Sequence, residues 1–404
     1  MSTDTETVSL PTLPTELLLT IADRLDQNDI NSLVKTHRSL YRRLNGSLYR
    51  RDSGSRGSMH ALFDASMKGC LRTVQMSIES FSEPKDWYSV QPGVAYWDRA
   101  QEKIHIALFH AANYGHADIV TFLLGQEGTD PNRICPASSF PLFSPLHSSS
   151  SSPILRKTPL VAAASEGHVA VVKALLASKD IRVNAASYLH TPALTRAAFL
   201  GHTEIVSLLL DHPGIDAKFV DWTGRTALLH TIERSRTSTT ACFLHRKDLD
   251  IGINVGLNHG DDEGKTPLIL ACARRSIHSA LPRLILTAPG VDVNARDKHN
   301  RTALFYAAGN GSIQHVGLLL KHQADPDPVD FDGLTPLLLA ARSDSPGIVK
   351  MLLEAGADPN RKHEIFGTPL HAATVRQIWS VVAVLDPVTG YDHECDDSCF
   401  ATYD

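Results

Sequence analysis

Leucine recurs along the chain at a spacing that sets nine short segments apart from the polar residues between them. The nine are Leu62, Leu108, Leu160, Leu194, Leu228, Leu268, Leu304, Leu337 and Leu370. Eight of them are followed three residues later by alanine, and the fifth copy has Thr231 in that place. Apolar residues three and four positions apart share one face of a helix. The pattern therefore predicts nine short helices in a repeat of about 33 residues, lengthened in places by insertions.

Threonine and glycine mark where these helices begin and end. A Thr-Pro-Leu sequence opens the helix in Thr158–Leu160, Thr335–Leu337 and Thr368–Leu370. The hydroxyl can cap a helix whose first position tolerates proline. About two turns later comes a glycine suited to a left-handed C-cap, at Gly115, Gly167, Gly201 and Gly311. A second apolar series follows, as in Val171–Leu176 and Ile205–Leu210, so each copy is predicted to hold a pair of helices.

Turn segments separate one helix pair from the next. Asp221–Gly224, Asp297–Asn300 and Asp330–Gly333 each end in a residue that suits a positive φ, which predicts projecting hairpins. Three aromatic or imidazole side chains lie at the tips: Trp222, His299 and Phe331. A large apolar side chain in a turn has no obvious core to fill, so these residues are candidates for binding a target protein. The alternative is that they fold back onto the next hairpin.

This pattern resembles the ankyrin repeat, D-x-x-G-x-T-P-L-H-x-A-A-x-x-G-H followed by I/V-V-x-x-L-L. The match is closest from 155 to 210 and from 299 to 374. The resemblance implies an all-α solenoid of helix-turn-helix repeats with hairpin loops, about nine repeats across residues 57–388, whose concave side binds proteins. Two segments depart from the pattern as insertions, one near 80–103 and a Ser/Pro-rich one at 136–153.

Residues 11–52 do not follow the repeat. Apolar positions predict three short amphipathic helices there, and so small a core should dock on something else. Leu13–Ile21 resembles the opening of an F-box, L-P-x-E-L-L-x-x-I. The later part departs from the family, because Lys35–Leu40 stands where F-boxes often have V-C-R-x-W. The alternative is a helical cap that covers the apolar end of the first repeat.

The F-box resemblance implies a Skp1-like adaptor and a cullin as partners, in an SCF-type ubiquitin ligase. The residues that would contact Skp1 are Leu13, Pro14, Leu17, Leu18, Ile21, Leu25, Ile30 and Leu33. An F-box followed by ankyrin repeats is similar to a gene family expanded in filamentous fungi. Together the two resemblances imply a substrate-recognition adaptor whose array holds the target. The alternative function is a protein-binding scaffold or inhibitor in which the N-terminal helices only cap the array.

Composition narrows the partners and the compartment. The 404 residues carry 39 Lys and Arg against 44 Asp and Glu, and a net charge of −5 gives no footprint for nucleic acid. The longest apolar runs are too short to span a bilayer, residues 1–10 are polar and expected to be disordered, and 389–404 form an acidic tail. Six dispersed cysteines suit a reducing compartment. We expect a monomer outside its complex, located in the cytoplasm, the nucleus or both.

Catalytic and metal chemistry find little support in the sequence. It contains no H-E-x-x-H, P-loop or nucleophile elbow, and the N-terminal module and repeats leave no room for a catalytic domain. We therefore expect neither an enzyme nor a cofactor. His116, His168 and His202 fall in the repeat register, which favours structural roles. In the tail, His393, Cys395 and Cys399 offer three zinc ligands without a nearby fourth, so no metal site is expected there.

Overall fold

The structure, a computed structural model, describes residues 57–79, 96–135, 157–187, 190–245, 256–274 and 280–389. The segments predicted as disordered (1–10), as an F-box (11–52) and as a Ser/Pro-rich insertion (136–153) lie outside these residues, as does the acidic tail beyond 389. The chain divides into two compact units, Met1–Tyr188 and Leu189–Asp404, here called unit 1 and unit 2.

Unit 1 contains three pairs of helices within its described residues. They are α1 (Gly57–Lys68), α2 (Leu71–Glu79), α3 (Tyr96–Tyr114), α4 (Ala117–Leu124), α5 (Pro159–Glu166) and α6 (Val169–Leu176). The first helix of each pair packs on the first helix of the next, α1 on α3 and α3 on α5. The second helices pack in the same order, which gives two layers of helices.

Unit 2 continues the pattern with six pairs. They are α7 (Ala193–Leu200), α8 (Thr203–Leu210), α9 (Ala227–Glu233), α10 (Thr237–Leu244), α11 (Pro267–Ala273), α12 (Leu281–Leu286), α13 (Ala303–Gly309), α14 (Ile313–Lys321), α15 (Pro336–Arg342), α16 (Pro346–Glu354), α17 (Pro369–Val375) and α18 (Trp379–Thr389). The described residues contain no β-strand, only an isolated bridge between His363 and Gly367. None of these helices combines the length and the apolar character needed to cross a bilayer. The predicted all-α fold is confirmed for the part of the chain described.

The leucines of the sequence pattern form the core between neighbouring first helices. All nine are buried, and the most exposed of them, Leu370, has 7% of its surface accessible. The eight alanines three residues later are buried as well. Because alanine has so small a side chain, the first helices within each unit can approach closely and bury a row of leucines between them.

Threonine caps the first helix in six of the nine pairs. The side-chain oxygens of Thr158, Thr226, Thr266, Thr302, Thr335 and Thr368 accept a hydrogen bond from the backbone N–H three residues later, at 3.2–3.4 Å. The predicted caps at Thr158, Thr335 and Thr368 are confirmed, and proline occupies the first turn after each. Each hydroxyl satisfies an N–H that has no partner within its helix.

Helix α3 is longer than the sequence pattern predicted. It begins at Tyr96, so residues 96–103 belong to the helix and not to an insertion between helices. The N-terminal half of α3 holds the loop that follows α4. Gln101 Nε2 donates to the carbonyl of Glu127 at 2.8 Å, and the N–H of Asp130 donates to His105 Nε2 at 2.8 Å. The sequence pattern missed these turns because their contacts are made with residues far along the chain.

In unit 1, a glycine and a histidine connect neighbouring helix pairs at the turn between the first and second helix of each pair. Gly115 adopts φ 87°, and a Cβ there would lie 2.7 Å from His168 Nδ1. The imidazole reaches back to the preceding pair, where His168 Nε2 lies 3.0 Å from the carbonyl of Asn113. His116 makes the equivalent bond to Met67 at 2.8 Å. Since a carbonyl only accepts, Nε2 carries the proton in both histidines, and the predicted structural role of these two is confirmed.

Three turns of unit 2 adopt the same left-handed conformation without glycine. Ser235, Asp344 and Gln377 have φ values of 55°, 48° and 58°. An L-residue with a side chain is strained in this region by roughly 1–2 kcal/mol. These turns therefore carry a local cost that Gly201, with φ 85° at the corresponding place, does not.

Replacing Ser235 with glycine should raise the free energy of unfolding by about 1 kcal/mol, because glycine adopts positive φ without strain. The matched control is Ser238→Gly, three residues along on the exposed side of α10. Glycine inside a helix should lower stability there by about 0.5 kcal/mol. Urea titration of both variants checks the pair. If both variants changed the free energy of unfolding in the same direction, the left-handed backbone at Ser235 would not be a source of strain.

Candidate functional site

The hairpins of unit 2 form the surface on which the predicted target-binding residues lie. We call the five turns 221–224, 261–264, 297–300, 330–333 and 363–367 the hairpin row. In the first four, the backbone N–H of the leading aspartate donates to the carbonyl four residues later, at 3.0–3.2 Å. His363 replaces aspartate in the last turn and exchanges two backbone hydrogen bonds with Gly367. The backbone of every turn in the row is thus closed by its own hydrogen bonds.

One oxygen of each leading aspartate holds its turn from inside. In Asp221, Asp261, Asp297 and Asp330, Oδ1 accepts hydrogen bonds from the backbone N–H groups two and four residues later, at 2.8–3.2 Å. All four residues are buried, with at most 8% of their surface exposed. A buried carboxylate that accepts two N–H bonds fixes the turn firmly. The sequence analysis singled out Asp221, Asp297 and Asp330 as turn residues but not Asp261, and it did not reveal this role.

The second oxygen of each aspartate binds a side chain, and the source of that side chain alternates along the row. In two turns it comes from the first helix of the same repeat: His230 Nε2 lies 2.7 Å from Asp221, and the hydroxyl of Tyr306 donates to Asp297 at 2.6 Å. In the other two it comes from the repeat before. Arg301 Nε donates to Asp330 at 2.9 Å, and Arg225 Nη2 lies 3.6 Å from Asp261.

These pairings shift the acidity of the groups involved. Burial opposes ionisation of Asp221, but the hydrogen bonds from His230 and Thr223 outweigh it and lower the pKa to about 2. Burial and the hydrogen bond to Asp297 raise the pKa of Tyr306 to about 12. Burial disfavours the charge of Arg301, yet Asp330 more than compensates and raises the pKa of the guanidinium. Asp221 and Arg301 are therefore charged at neutral pH, while Tyr306 is a neutral hydrogen-bond donor.

The three predicted target-binding residues lie at the tips of these turns. Trp222 and Phe331 have 67% and 76% of their surface exposed. The side chain of His299 is 54% exposed, with its Nε2 3.7 Å from a carboxylate oxygen of Glu263. Backbone bonds join adjacent tips: Lys298 N–H donates to Glu263 and Phe331 N–H to His299, at 3.0 and 3.2 Å. The turn that carries His299 is thus joined to both of its neighbours, and the turn that carries Phe331 is joined to the one before it.

Other exposed apolar residues were not predicted from the sequence. Ile365, on the last turn of the row, is 71% exposed, and Val375 and Trp379 in the last helix pair are 59% and 64% exposed. The segment around Ile365 lacks the D-x-x-G signal, so nothing in the repeat pattern marked it as a hairpin tip. Ile365 therefore extends the exposed apolar surface of the hairpin row farther toward the C-terminus than the three predicted residues.

The remaining predicted residues lie outside this surface. Leu13, Pro14, Leu17, Leu18, Ile21, Leu25, Ile30 and Leu33 precede the described residues, and His393, Cys395 and Cys399 follow them. Within the described ranges, no three His, Cys, Asp or Glu side chains come together as a metal-ligand group. Burial raises the pKa of the Cys272 thiol to about 12, so that thiol is protonated at neutral pH.

Replacing Arg301 with alanine should lower the free energy of unfolding by about 3 kcal/mol, because the fully buried side chain of Asp330 would lose its ionic partner. Arg296→Ala is the matched control. Its partner Asp325 lies 3.7 Å away, and both side chains are about 40% exposed, so the loss should stay below about 1 kcal/mol. Urea unfolding of both variants measures the difference. Equal losses would mean that the buried pair is no stronger than a surface pair.

Several known proteins are similar to this chain. A family model described as ankyrin repeats (three copies) matches residues 108–221 and 274–363, half of the chain. The ankyrin repeat domain-containing protein SAT10 of Stachybotrys chartarum is 29% identical over 208 residues, 50% of this chain and 10% of that protein. The ankyrin repeat protein nuc-2 of Neurospora crassa is 30% identical over 241 residues, 57% of this chain and 21% of that protein. The chain thus spans less than a quarter of either curated relative.

A solved structure supports the same assignment. The ankyrin repeat domain of Bcl-3, described as a unique member of the IkappaB protein family, aligns with a TM-score of 0.50 and 25% identity. The alignment covers 56% of this chain and 98% of that domain. With the buried leucine and alanine rows, the threonine caps and the hairpins, the matched family model shows that this chain belongs to the ankyrin-repeat family.

Proposed function

We propose that the chain is a substrate-recognition adaptor that binds a target protein along the hairpin row. In this proposal residues 11–52 are an F-box that engages a Skp1-like adaptor and, through it, the cullin of an SCF-type ubiquitin ligase in the cytoplasm or the nucleus. Support for the F-box part of this proposal comes from the Leu13–Ile21 sequence pattern alone, since neither range matched by the ankyrin model reaches residues 11–52.

The observation that supports target binding along the hairpin row is the exposure of Trp222 and Phe331. Both rings stand on turns whose backbone is fixed by a buried aspartate, Asp221 in one and Asp330 in the other. Aromatic side chains contribute much of the energy of protein interfaces. Because the turns are already ordered, binding there would lose little conformational entropy. The hairpin row thus has two rigid apolar anchors for a protein partner.

The mechanism in this proposal is proximity and involves no bond made or broken by this chain. A target held on the hairpin row would stay close to the transfer machinery recruited through the N-terminal helices. Holding two reactants together raises their effective concentration, which speeds transfer without any catalytic residue in the receptor. The chemistry of ubiquitin transfer would belong to the ligase.

The likeness to the Bcl-3 domain favours a second candidate, a protein-binding scaffold or inhibitor. The alignment covers 98% of that domain and 56% of this chain, so a domain described by its ankyrin repeats matches more than half of this chain. In that case residues 11–52 would cap the array and bind no ubiquitin-ligase component. Copurification from the native host separates the two candidates, since Skp1 and a cullin should accompany only the adaptor.

The double substitution Leu17→Asp and Ile21→Asp should remove Skp1 and cullin from the copurified material while the target proteins remain. Charge placed on an apolar docking face loses its hydration without gaining a partner, which is costly. Quantitative mass spectrometry of the tagged protein measures both groups of partners. Skp1 recovered equally well with the double variant would refute the F-box assignment and favour the scaffold.

The double substitution Trp222→Ala and Phe331→Ala should have the reverse effect. We expect it to weaken target binding by at least about 2 kcal/mol, the scale of an interface hot spot, while Skp1 recovery is unchanged. Trp379→Ala is the control, because this residue is also exposed, at 64%, but lies on the second helix of the last pair. A double variant that unfolds early yet still captures its target would show that the two rings serve packing.

A further inference from the structure

Two arginines near the end of the hairpin row form an unusual group. Arg342 is the last residue of α15, and its guanidinium carbon lies 3.6 Å from the centroid of the Phe366 ring. Phe366 in turn stacks on the imidazole of His363, with ring centroids 4.8 Å apart. Stacking fixes a guanidinium by its face and leaves the N–H groups in its plane available for hydrogen bonds. Arg342 is thereby held in a fixed orientation.

Arg376 brings a second positive charge to the same place. It follows α17, the first helix of the next repeat, which packs on α15. Burial and the charge of Arg376 both lower the pKa of Arg342. We call Arg342, Arg376 and the Phe366 ring the paired-arginine site. Arg342 is half-buried and Arg376 is exposed, and their like charges repel one another.

Within the part of the chain that the structure describes, neither arginine has a carboxylate within 4 Å. Two other arginines of unit 2 do have such a partner: the half-buried Arg301 pairs with Asp330 at 2.9 Å, and Arg361 pairs with Asp327 at 2.7 Å. Two neighbouring cations without an anion repel one another, and a bound carboxylate would offset that repulsion. The paired-arginine site therefore has the charge and the donors of an anion-binding site.

Apolar side chains stand beside these charges. Ile365 immediately precedes Phe366 and is 71% exposed, and Val375 immediately precedes Arg376 and is 59% exposed. The surface thus combines oxyanion recognition with apolar contact, which suits a peptide segment that has an acidic residue next to an apolar one.

We propose that the paired-arginine site binds a carboxylate side chain of the protein partner, with an apolar neighbour of that residue resting on Ile365 or Val375. This inference rests on the proposed function, because it assigns a partner chemistry to the C-terminal end of the same hairpin row. The planar fork of an arginine matches the two oxygens of a carboxylate, so the site selects an aspartate or glutamate by geometry as well as by charge.

The surroundings favour a single carboxylate over a polyanion such as nucleic acid. Glu364 is exposed on the turn that carries Phe366, and the side chain of Asp332 on the preceding turn is 70% exposed. The chain as a whole has a net charge of −5. A run of phosphates that crossed the site would meet these carboxylates, whereas one acidic side chain flanked by apolar residues would not.

The test uses the full chain and a phage library of random short peptides. Peptides enriched on the wild-type protein should carry Asp or Glu beside an apolar residue. Arg342→Gln and Arg376→Gln should each weaken the enriched peptides about tenfold or more, the effect expected for losing a charge-assisted hydrogen bond. Fluorescence anisotropy with labelled copies of these peptides measures the affinities. Arg376→Lys should keep part of the binding, because it retains the charge without the planar fork.

Two controls separate recognition from folding and from net charge. Lys350→Gln removes one positive charge from an exposed residue of α16 paired with Glu354, and it should leave peptide affinity unchanged. Arg376→Gln should leave the thermal midpoint unchanged or raise it, because it removes a repulsion. A clear fall in the midpoint with that variant would assign Arg376 a structural role and overturn the inference.

The remaining outcomes distinguish this inference from the proposed function. The inference is overturned if the enriched peptides lack acidic residues, or if Arg342→Gln and Arg376→Gln leave their affinities unchanged. The proposed function survives either result as long as replacing Trp222 and Phe331 still abolishes binding. Arginine-dependent binding of a single-stranded oligonucleotide overturns it in favour of phosphate recognition. If no peptide is enriched on the wild-type chain, both the inference and the proposed binding surface fail.

Discussion

A buried carboxylate at the start of four of the five turns in the hairpin row is the constraint on which the rest of that surface depends. Asp330, for example, uses one oxygen to hold two N–H groups of its own turn and the other to bind Arg301. An ionised group enclosed in this way is tolerated only if its charge and its lone pairs are satisfied. The turn, the helix that supplies the partner and the contact between neighbouring repeats are therefore fixed together.

This constraint explains why the hairpin row can serve as a rigid surface. Ordinary turns lose entropy when a partner binds, because their backbone must first be ordered. Here the internal bonds of the aspartates and the backbone bonds between adjacent tips, such as Phe331 to His299, hold the turns before any partner arrives. The rings of Trp222 and Phe331 contribute nothing to closing the turns, which leaves their apolar surface available for recognition.

The sequence predicted the parts of the fold that depend on local, periodic rules. Leu160, Thr158 and Gly167 act within one helix, and each could be placed because capping and helical spacing involve only nearby residues. Contacts between repeats could not be predicted in this way. The extension of α3 depends on Gln101 reaching Glu127, and the partner of a hairpin aspartate can be a histidine, a tyrosine or an arginine. Similar constraints are met by different side chains, so no single motif marks them.

The alternating source of the aspartate partners bears on how the array could change in length. Arg225 and Arg301 each reach forward to the next hairpin, whereas Asp221 and Asp297 are satisfied within their own repeats. Deleting the single repeat that begins at Asp261 would bring Arg225 next to Asp297, whose second oxygen already accepts a hydrogen bond from Tyr306. Deleting two adjacent repeats would set Arg225 against Asp330 and preserve the pairing. In this part of the chain, the element that can be lost or duplicated while an arginine still meets an aspartate that depends on it is a tandem of two repeats.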